Sequence, residues 1–134
     1  MNPTNTTPPK ILYVDDDQDD CVLLKESFSD TGNTNMVLAF NGDEAIEYLD
    51  SNESLPSLII LDLNMPRRDG RQTLQYIKSQ PHLSAIPVVI LSTSKNEADK
   101  EVCSRLGAVS YLEKPDHYSG YKQIVSNCLP FISS

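Results

Sequence analysis

Five short apolar runs separated by helix-length segments restrict the folds open to this sequence. The runs span residues 10–14, 36–40, 58–61, 86–91 and 108–112. Short apolar runs bounded by turn residues are typical of strands that are buried on both faces. Each run is followed by a segment with apolar residues at helical spacing, which predicts five strand–helix units. This alternation indicates a parallel sheet that is covered by helices on both faces.

The segments between the runs predict five helices. The first begins near residues 17–19 and breaks at 30–33, and the others span 43–49, 72–79, 96–106 and 118–129. The predicted fold class is α/β, a flavodoxin-like doubly wound (βα)5 three-layer sandwich whose parallel five-stranded sheet has the order 2-1-3-4-5. In that order the direction in which successive strands are added to the sheet reverses between strands one and three. Ligands bind at this switch point, beyond the carboxyl ends of the strands.

Length and charge limit the number of domains and the kinds of partner. A chain of 134 residues is expected to form one domain, and a net charge of −8 argues against a nucleic-acid or anionic-membrane surface. No run is long enough for a membrane span, and residues 1–9 lack a signal-peptide core. We expect residues 1–9 to be a disordered lead-in and residues 10–134 to form the domain. The expected location is the cytoplasm.

Three cysteines, Cys21, Cys103 and Cys128, lie far apart in the sequence. Their spacing matches neither a zinc site nor a disulfide framework. We therefore interpret them as small core residues of a protein in a reducing compartment.

Aspartates directly follow two of the apolar runs. Asp15, Asp16 and Asp17 follow the first run, and Asp62 follows the third. Taken singly, acids at a helix start are usually caps, and an acid after a strand is common in loops. Together they are more informative, because the carboxyl ends of strands one and three meet in the predicted sheet. Clustered carboxylates repel one another and a hard divalent cation relieves that repulsion, so the sequence predicts a Mg²⁺ site.

Polar residues also follow the fourth and fifth predicted strands at the same edge. Ser92 directly follows strand four, and Lys114 follows the end of strand five. Alone, each is ordinarily a turn residue or a solvated charge. A lysine ammonium can bind a phosphoryl oxygen as a mobile point charge, and a serine hydroxyl can hydrogen-bond one. With an aspartate and a divalent cation, these groups provide what transfer of a phosphoryl group to a carboxylate requires.

The segments that contain these residues form a recognisable set. They read Ile11-Leu12-Tyr13-Val14-Asp15-Asp16, Leu61-Asp62-Leu63-Asn64-Met65-Pro66 with Asp69-Gly70, Pro87-Val88-Val89-Ile90-Leu91-Ser92, Gly107-Ala108 and Tyr111-Leu112-Glu113-Lys114-Pro115. Together they resemble the receiver domain of the two-component response-regulator family over about residues 10–129. The separations of 30 residues from Asp62 to Ser92 and 52 residues from Asp62 to Lys114 fit the compact members of that family.

The resemblance implies a division of roles among the acids. Asp62 is the phosphoacceptor, which attacks a phosphohistidine on a partner protein and becomes an aspartyl phosphate. Asp16 and Asp62 bind Mg²⁺ directly, or Mn²⁺ in its place, and Asp15 acts mainly through water. Asn64 supplies its backbone carbonyl to the same ion. Asp17 lies outside this set and is expected to cap the first helix.

The resemblance also implies a conformational switch. Lys114 neutralises charge on the phosphoryl group, and the Ser92 hydroxyl moves to bond that group. The Tyr111 ring then turns inward into the vacated space, and the face formed by the fourth helix, fifth strand and fifth helix changes. The Lys114–Pro115 peptide bond is expected to be cis, because the family uses that geometry to aim the lysine.

Two stretches point to a subgroup of the family. Residues 61–71 and 91–94 resemble the small regulators that pair with phytochrome-type light-sensing histidine kinases. The resemblance implies a sensor histidine kinase or a histidine phosphotransfer protein as partner, and a homodimer through the fourth helix, fifth strand and fifth helix.

Only five residues follow residue 129, so a stand-alone regulator is the expectation. Its expected catalysis is limited to its own phosphorylation and dephosphorylation.

Three alternatives stand beside this interpretation. A small aspartate-based phosphatase needs a second acid two residues after the nucleophile, and that position is Asn64. An FMN carrier needs phosphate-binding donors in its first loop, whereas Asp15 and its neighbours would repel a phosphate. A receiver-like module that works without phosphorylation would not need Asp62, Asp16 and Lys114 together.

Overall fold

The computed structural model describes residues 10–33, 35–51, 54–63, 65 and 69–132. Over these residues strands and helices alternate along the chain. The strands are β1 Ile11–Val14, β2 Met36–Ala39, β3 Leu58–Asp62, β4 Val88–Ser92 and β5 Ser110–Glu113. The helices are α1 Gln18–Ser29, α2 Gly42–Ser51, α3 Gly70–Ser79, α4 Glu97–Arg105 and α5 Tyr121–Ile132, with a 3₁₀ turn at Tyr118–Gly120. No helix in these ranges is both long and apolar enough to cross a membrane.

The five strands form one parallel sheet in the order β2-β1-β3-β4-β5, which confirms the predicted fold class and strand order. The register brings two acids together at the edge of this sheet. Val14 of β1 lies opposite Leu61 of β3. The next residue is therefore Asp15 after β1 and Asp62 at the end of β3, and both lie at the carboxyl end of the sheet.

The sheet is buried on both faces, which explains why its strands are apolar without interruption. Alternate residues of β1 and β3 face opposite sides. Leu12 and Leu61 pack in the layer that contains α2, α3 and α4, whereas Ile11 and Ile60 pack in the layer that contains α1 and α5. Helices therefore cover both faces, and polar groups concentrate at the ends of the strands.

Helix boundaries follow local capping where caps exist. Asp17 is the N-cap of α1, and its side chain accepts a hydrogen bond from the backbone N–H of Asp20 at 3.1 Å, as predicted. α3 begins at Gly70, two residues earlier than predicted, because Asp69 and Gln72 form a capping box that satisfies the first turn.

The last helix runs three residues beyond its predicted end. This extension includes a proline at position 130, which lacks the N–H that a helix interior uses. The helix nevertheless extends to Ile132, which is 7% exposed, and Phe131 packs against the same core layer. Apolar burial in the final turn therefore outweighs one lost backbone hydrogen bond.

The three cysteines are free and buried, which confirms their interpretation as core residues. Burial raises the pKa of the Cys21 thiol and that of the Cys128 thiol to about 12 each. Thiols of such high pKa are protonated at neutral pH and are therefore weak nucleophiles.

Candidate functional site

Three carboxylates converge where β1 and β3 end. One carboxylate oxygen each from Asp15, Asp16 and Asp62 lies within 4.8 Å of the other two. Asp15 is fully buried and Asp62 is 4% exposed, whereas Asp16 is exposed to solvent. Carboxylate oxygens at this separation match the hard ligands that Mg²⁺ and Ca²⁺ prefer. The acids predicted as a metal site are thus brought together by the register of the two strands.

Asp15 has little capacity left for further ligands. Its Oδ1 accepts from the backbone N–H of Asp17 at 2.9 Å. Its Oδ2 accepts from the hydroxyl of Tyr13 and lies 2.9 Å from the Lys114 ammonium. Burial, followed by the charge of Asp15, raises the pKa of Tyr13 well above its usual value, so the phenol remains a donor.

We expect Tyr13→Phe to destabilise the fold. The substitution removes the hydroxyl that serves a fully buried carboxylate, and hydrogen bonds to charged groups contribute about 1.5–3 kcal/mol. Urea unfolding without divalent metal should show a lower free energy of unfolding by that amount. Tyr118→Phe is the matched control, because Tyr118 is 55% exposed. Equal stabilities of the two variants would contradict a role for the Tyr13 hydroxyl.

Lys114 lies inside the carboxylate cluster. Its Nζ is 2.9 Å from Asp15 Oδ2, 2.8 Å from Asp20 Oδ2 and 3.5 Å from Asp62 Oδ2, and its side chain is 10% exposed. Burial alone would lower the pKa of Lys114, but hydrogen bonds with Asp20 and Asp15 and the charge of Asp62 raise it above its usual value. The ammonium is therefore a fixed positive charge among acids at neutral pH.

The Lys114–Pro115 peptide bond is trans, so the predicted cis bond is wrong. The backbone N–H of Lys114 donates to the carbonyl of Ser92 at 2.7 Å, which ties the end of β5 to the end of β4. From that anchor the long side chain reaches the acids with the trans bond that X–Pro peptides ordinarily prefer. Pro115 packs closely on Gly120, where an added Cβ would lie 2.3 Å from the Pro115 Cβ.

Ser92 and Tyr111 both contact Ser94 of the β4–α4 loop. Ser92 is fully buried at the end of β4, and its Oγ accepts from the Ser94 backbone N–H at 3.0 Å. Tyr111 is half-buried, and its hydroxyl donates to the Ser94 carbonyl at 2.9 Å. The Lys100 ammonium lies 5.8 Å from the centroid of the Tyr111 ring. The two residues predicted as a switch pair are thus joined through one loop residue.

The Ser94 side chain extends this loop network to α3 and α4. Its hydroxyl donates to Asp99 Oδ2 at 2.7 Å, and Arg71 donates to Asp99 Oδ1 at 2.6 Å. The hydrogen bond from Ser94, and then that from Arg71, lowers the pKa of the Asp99 carboxyl. Arg71 follows Gly70, where an added Cβ would lie 2.5 Å from the backbone oxygen of Asp62. The first turn of α3 is therefore packed directly against the backbone of Asp62.

Three side chains that form hydrogen bonds within the site were not predicted from the sequence. Asp20, Tyr13 and Tyr121 were not identified as part of the site. Asp20 carried a usable signal, because it lies one helical turn before the fully buried Leu24 and so shares its inward face. Asn64, predicted to offer its carbonyl, lies outside the described residues.

Comparison with known proteins gives consistent matches over nearly the whole chain. A family model for the response regulator receiver domain matches residues 11–125. The response regulator Rcp1 of Synechocystis sp. is 39% identical over 116 residues, which cover 81% of this chain and 79% of that protein.

Two solved structures have the same fold. The phosphorylated cyanobacterial phytochrome response regulator RcpA superposes with a TM-score of 0.86 and 40% identity, covering 93% of this chain and 94% of that one. The Mn²⁺-bound form of Rcp1 superposes with a TM-score of 0.81 and 34% identity, covering 92% and 94%. The similarity to RcpA agrees with the subgroup resemblance found in residues 61–71 and 91–94.

Proposed function

The chain belongs to the response regulator receiver domain family, and we propose that it accepts a phosphoryl group on Asp62 from a histidine kinase or a histidine phosphotransfer protein. The observation that carries this proposal is the position of Asp62. Its carboxylate lies in a group of three acids and within 3.5 Å of the Lys114 ammonium, at the edge of the sheet where ligands bind.

The transfer forms one bond and breaks one. An oxygen of the Asp62 carboxylate attacks phosphorus, the P–N bond of the phosphohistidine breaks, and the imidazole leaves with the electron pair. The protein contributes position and charge neutralisation rather than further covalent chemistry. Because the acid must be ionised to attack, the positive charge of Lys114 beside it favours the reactive form.

We assign Mg²⁺ to Asp16 and Asp62, with Asp15 acting through water and Mn²⁺ as a substitute. The donor set supports this choice, because three carboxylates within 4.8 Å offer the hard oxygen ligands that the ion requires. The three engaged partners of Asp15 favour an indirect role for that residue. When bound, the ion neutralises charge on the carboxylates and on the phosphoryl oxygens. The related response regulator Rcp1 was solved with Mn²⁺ bound, which supports a divalent ion in this proposal.

Lys114 and Ser92 are assigned to the phosphoryl group. The lysine ammonium is a compact charge on a flexible stem, so it can move from the acids to a phosphoryl oxygen. Ser92 is the last residue of β4, the strand next to β3, and it lies at the same edge of the sheet. Its hydroxyl is therefore positioned to donate to the same group.

We assign partner binding that depends on phosphorylation to the face formed by α4, β5 and α5. Tyr111 on β5 is bonded to the carbonyl of Ser94, and the Ser94 N–H is bonded to Ser92. A shift of the Ser92 hydroxyl toward a phosphoryl group would disturb this loop and release or rotate the tyrosine. We assign to this face either a protein partner or a second copy of the chain.

The proposed phosphodonor is a phytochrome-type sensor histidine kinase. The proposed location of the protein is the cytoplasm. RcpA is described as a phytochrome response regulator and was solved in its phosphorylated form, and this chain is 40% identical to it. No turnover of an external substrate is assigned beyond phosphorylation and dephosphorylation of the protein itself.

The direct test uses a small phosphodonor in place of the kinase. The protein is incubated with Mg²⁺ and acetyl phosphate, and its intact mass is measured. The expected result is a gain of one phosphoryl group that is prevented by a chelator. A wild-type protein that stays unmodified would leave a receiver-like binding module, which works without phosphorylation, as the better account.

A further inference from the structure

The closest contact of the Lys114 ammonium is with Asp20, an acid outside the group of three. Asp20 Oδ2 lies 2.8 Å from Lys114 Nζ, whereas Asp62 Oδ2 lies 3.5 Å away. Charge-assisted N–H···O bonds are about 2.7–2.9 Å long, so the first contact is a full hydrogen bond and the second is not. Among the described residues, the acids grouped closely enough to hold a metal ion do not include Asp20.

Asp20 is itself fixed by a tyrosine from the last helix. The hydroxyl of Tyr121 donates to Asp20 Oδ1 at 3.0 Å, and Tyr121 is 3% exposed. Burial, and then the hydrogen bond to Asp20, raises the pKa of Tyr121 above its usual value, so the phenol remains a donor. The first turn of α1, the start of α5 and the end of β5 therefore meet at one carboxylate.

We propose that Asp20, held by Tyr121, is a positioning residue that keeps the Lys114 ammonium off Asp62 until a phosphoryl group arrives. Lysine is a mobile point charge, and without Asp20 it would settle between the two remaining acids. One of those acids is the nucleophile. A lysine bonded directly to Asp62 would occupy a lone pair that must attack phosphorus, and it would have to be displaced first.

This inference rests on the proposed phosphorylation of Asp62 and concerns its rate. With acetyl phosphate as donor, an Asp62 oxygen bonds to phosphorus and the P–O bond to the acetyl group breaks. Acetate leaves with the electron pair. The ammonium then has only a short distance to move from Asp20 to a phosphoryl oxygen. Asp20 thus keeps the positive charge near the reaction without neutralising the attacking group.

Three variants separate this role from a general effect of charge. Asp20→Asn removes the negative charge that attracts the ammonium, and phosphorylation is expected to be about tenfold slower, the scale of one charge-assisted hydrogen bond. Asp19→Asn is the matched control, because it removes the same charge from the preceding, exposed residue. Tyr121→Phe keeps every charge and removes only the support for Asp20, for which about a threefold slower reaction is expected.

Each variant is characterised by its rate of mass gain with acetyl phosphate, its Mg²⁺ affinity by calorimetry and its thermal midpoint. With every variant compared at saturating Mg²⁺, the expected pattern is a slow Asp20→Asn, an intermediate Tyr121→Phe and a nearly wild-type Asp19→Asn. Equal rates for Asp20→Asn and Asp19→Asn, or a faster Asp20→Asn, would overturn the inference while the proposed function stands.

Two further outcomes are distinguishable. A rate for Asp20→Asn that rises to that of Asp19→Asn at saturating Mg²⁺ would show that Asp20 acts through metal binding and would also overturn the positioning role. A wild-type protein that gains no phosphoryl group would overturn the proposed function and this inference together.

Discussion

Asp62→Asn is expected to abolish phosphorylation by acetyl phosphate completely. An amide oxygen carries no negative charge and is a very weak nucleophile, so the substitution removes the attacking group itself. The change is nearly isosteric at a residue that is 4% exposed, so the fold should persist. The variant should retain the thermal midpoint of the wild type within a few degrees, and intact-mass measurement should show no gain.

Asp30→Asn serves as the control for loss of one negative charge. Asp30 is exposed at the C-terminal end of α1. The Asp30→Asn variant should therefore be phosphorylated at the wild-type rate. A phosphoryl gain that persists in Asp62→Asn would place the acceptor on another residue and would contradict the assignment.

Lys114→Met is expected to slow phosphorylation about 100-fold, the effect of removing one preorganised charge from a site of charge development. It should also destabilise the protein in the absence of metal. The side chain is only 10% exposed and compensates the buried Asp15 and Asp62. Removing one partner of a buried ion pair costs about 3–5 kcal/mol. Urea unfolding in the presence of a chelator measures this loss.

Mg²⁺ should restore part of the stability of Lys114→Met, because a bound cation compensates the same carboxylates. Lys122→Met is the matched control, since Lys122 is exposed on α5 and its substitution should change neither rate nor stability. A Lys114→Met variant as stable as wild type in chelator would contradict the idea that the ammonium compensates buried acids.

The sheet and the meeting of its acids were predictable because they depend on backbone-level rules. Apolar runs buried on both faces specify parallel strands, and the strand order then places Asp15 beside Asp62. Ser92 and Lys114 follow from the same reasoning, since the end of every parallel strand lies at one edge. Asp17, which lies outside the acids that the family resemblance assigns, was expected to cap α1, and its hydrogen bond confirms that role.

The contacts that hold the site could not be derived in this way. Tyr13 and Tyr121 occupy core positions by periodicity, and periodicity does not reveal where a buried hydroxyl finds its acceptor. The distance between Asp20 and Lys114 depends on how α1 packs on the sheet, which spacing within the helix does not determine. The cis bond expected at Pro115 came from the family resemblance alone, and the chain reaches the same acids through a trans bond.

The central claim is that Asp62 carries the phosphoryl group, and trapping the acyl phosphate tests it most directly. Wild-type protein treated with Mg²⁺ and acetyl phosphate is reduced with borohydride, which converts an aspartyl phosphate to homoserine, and its peptides are sequenced by mass spectrometry. We expect homoserine at position 62 alone, and none after preincubation with chelator. Homoserine at another aspartate, or at none, would contradict this account.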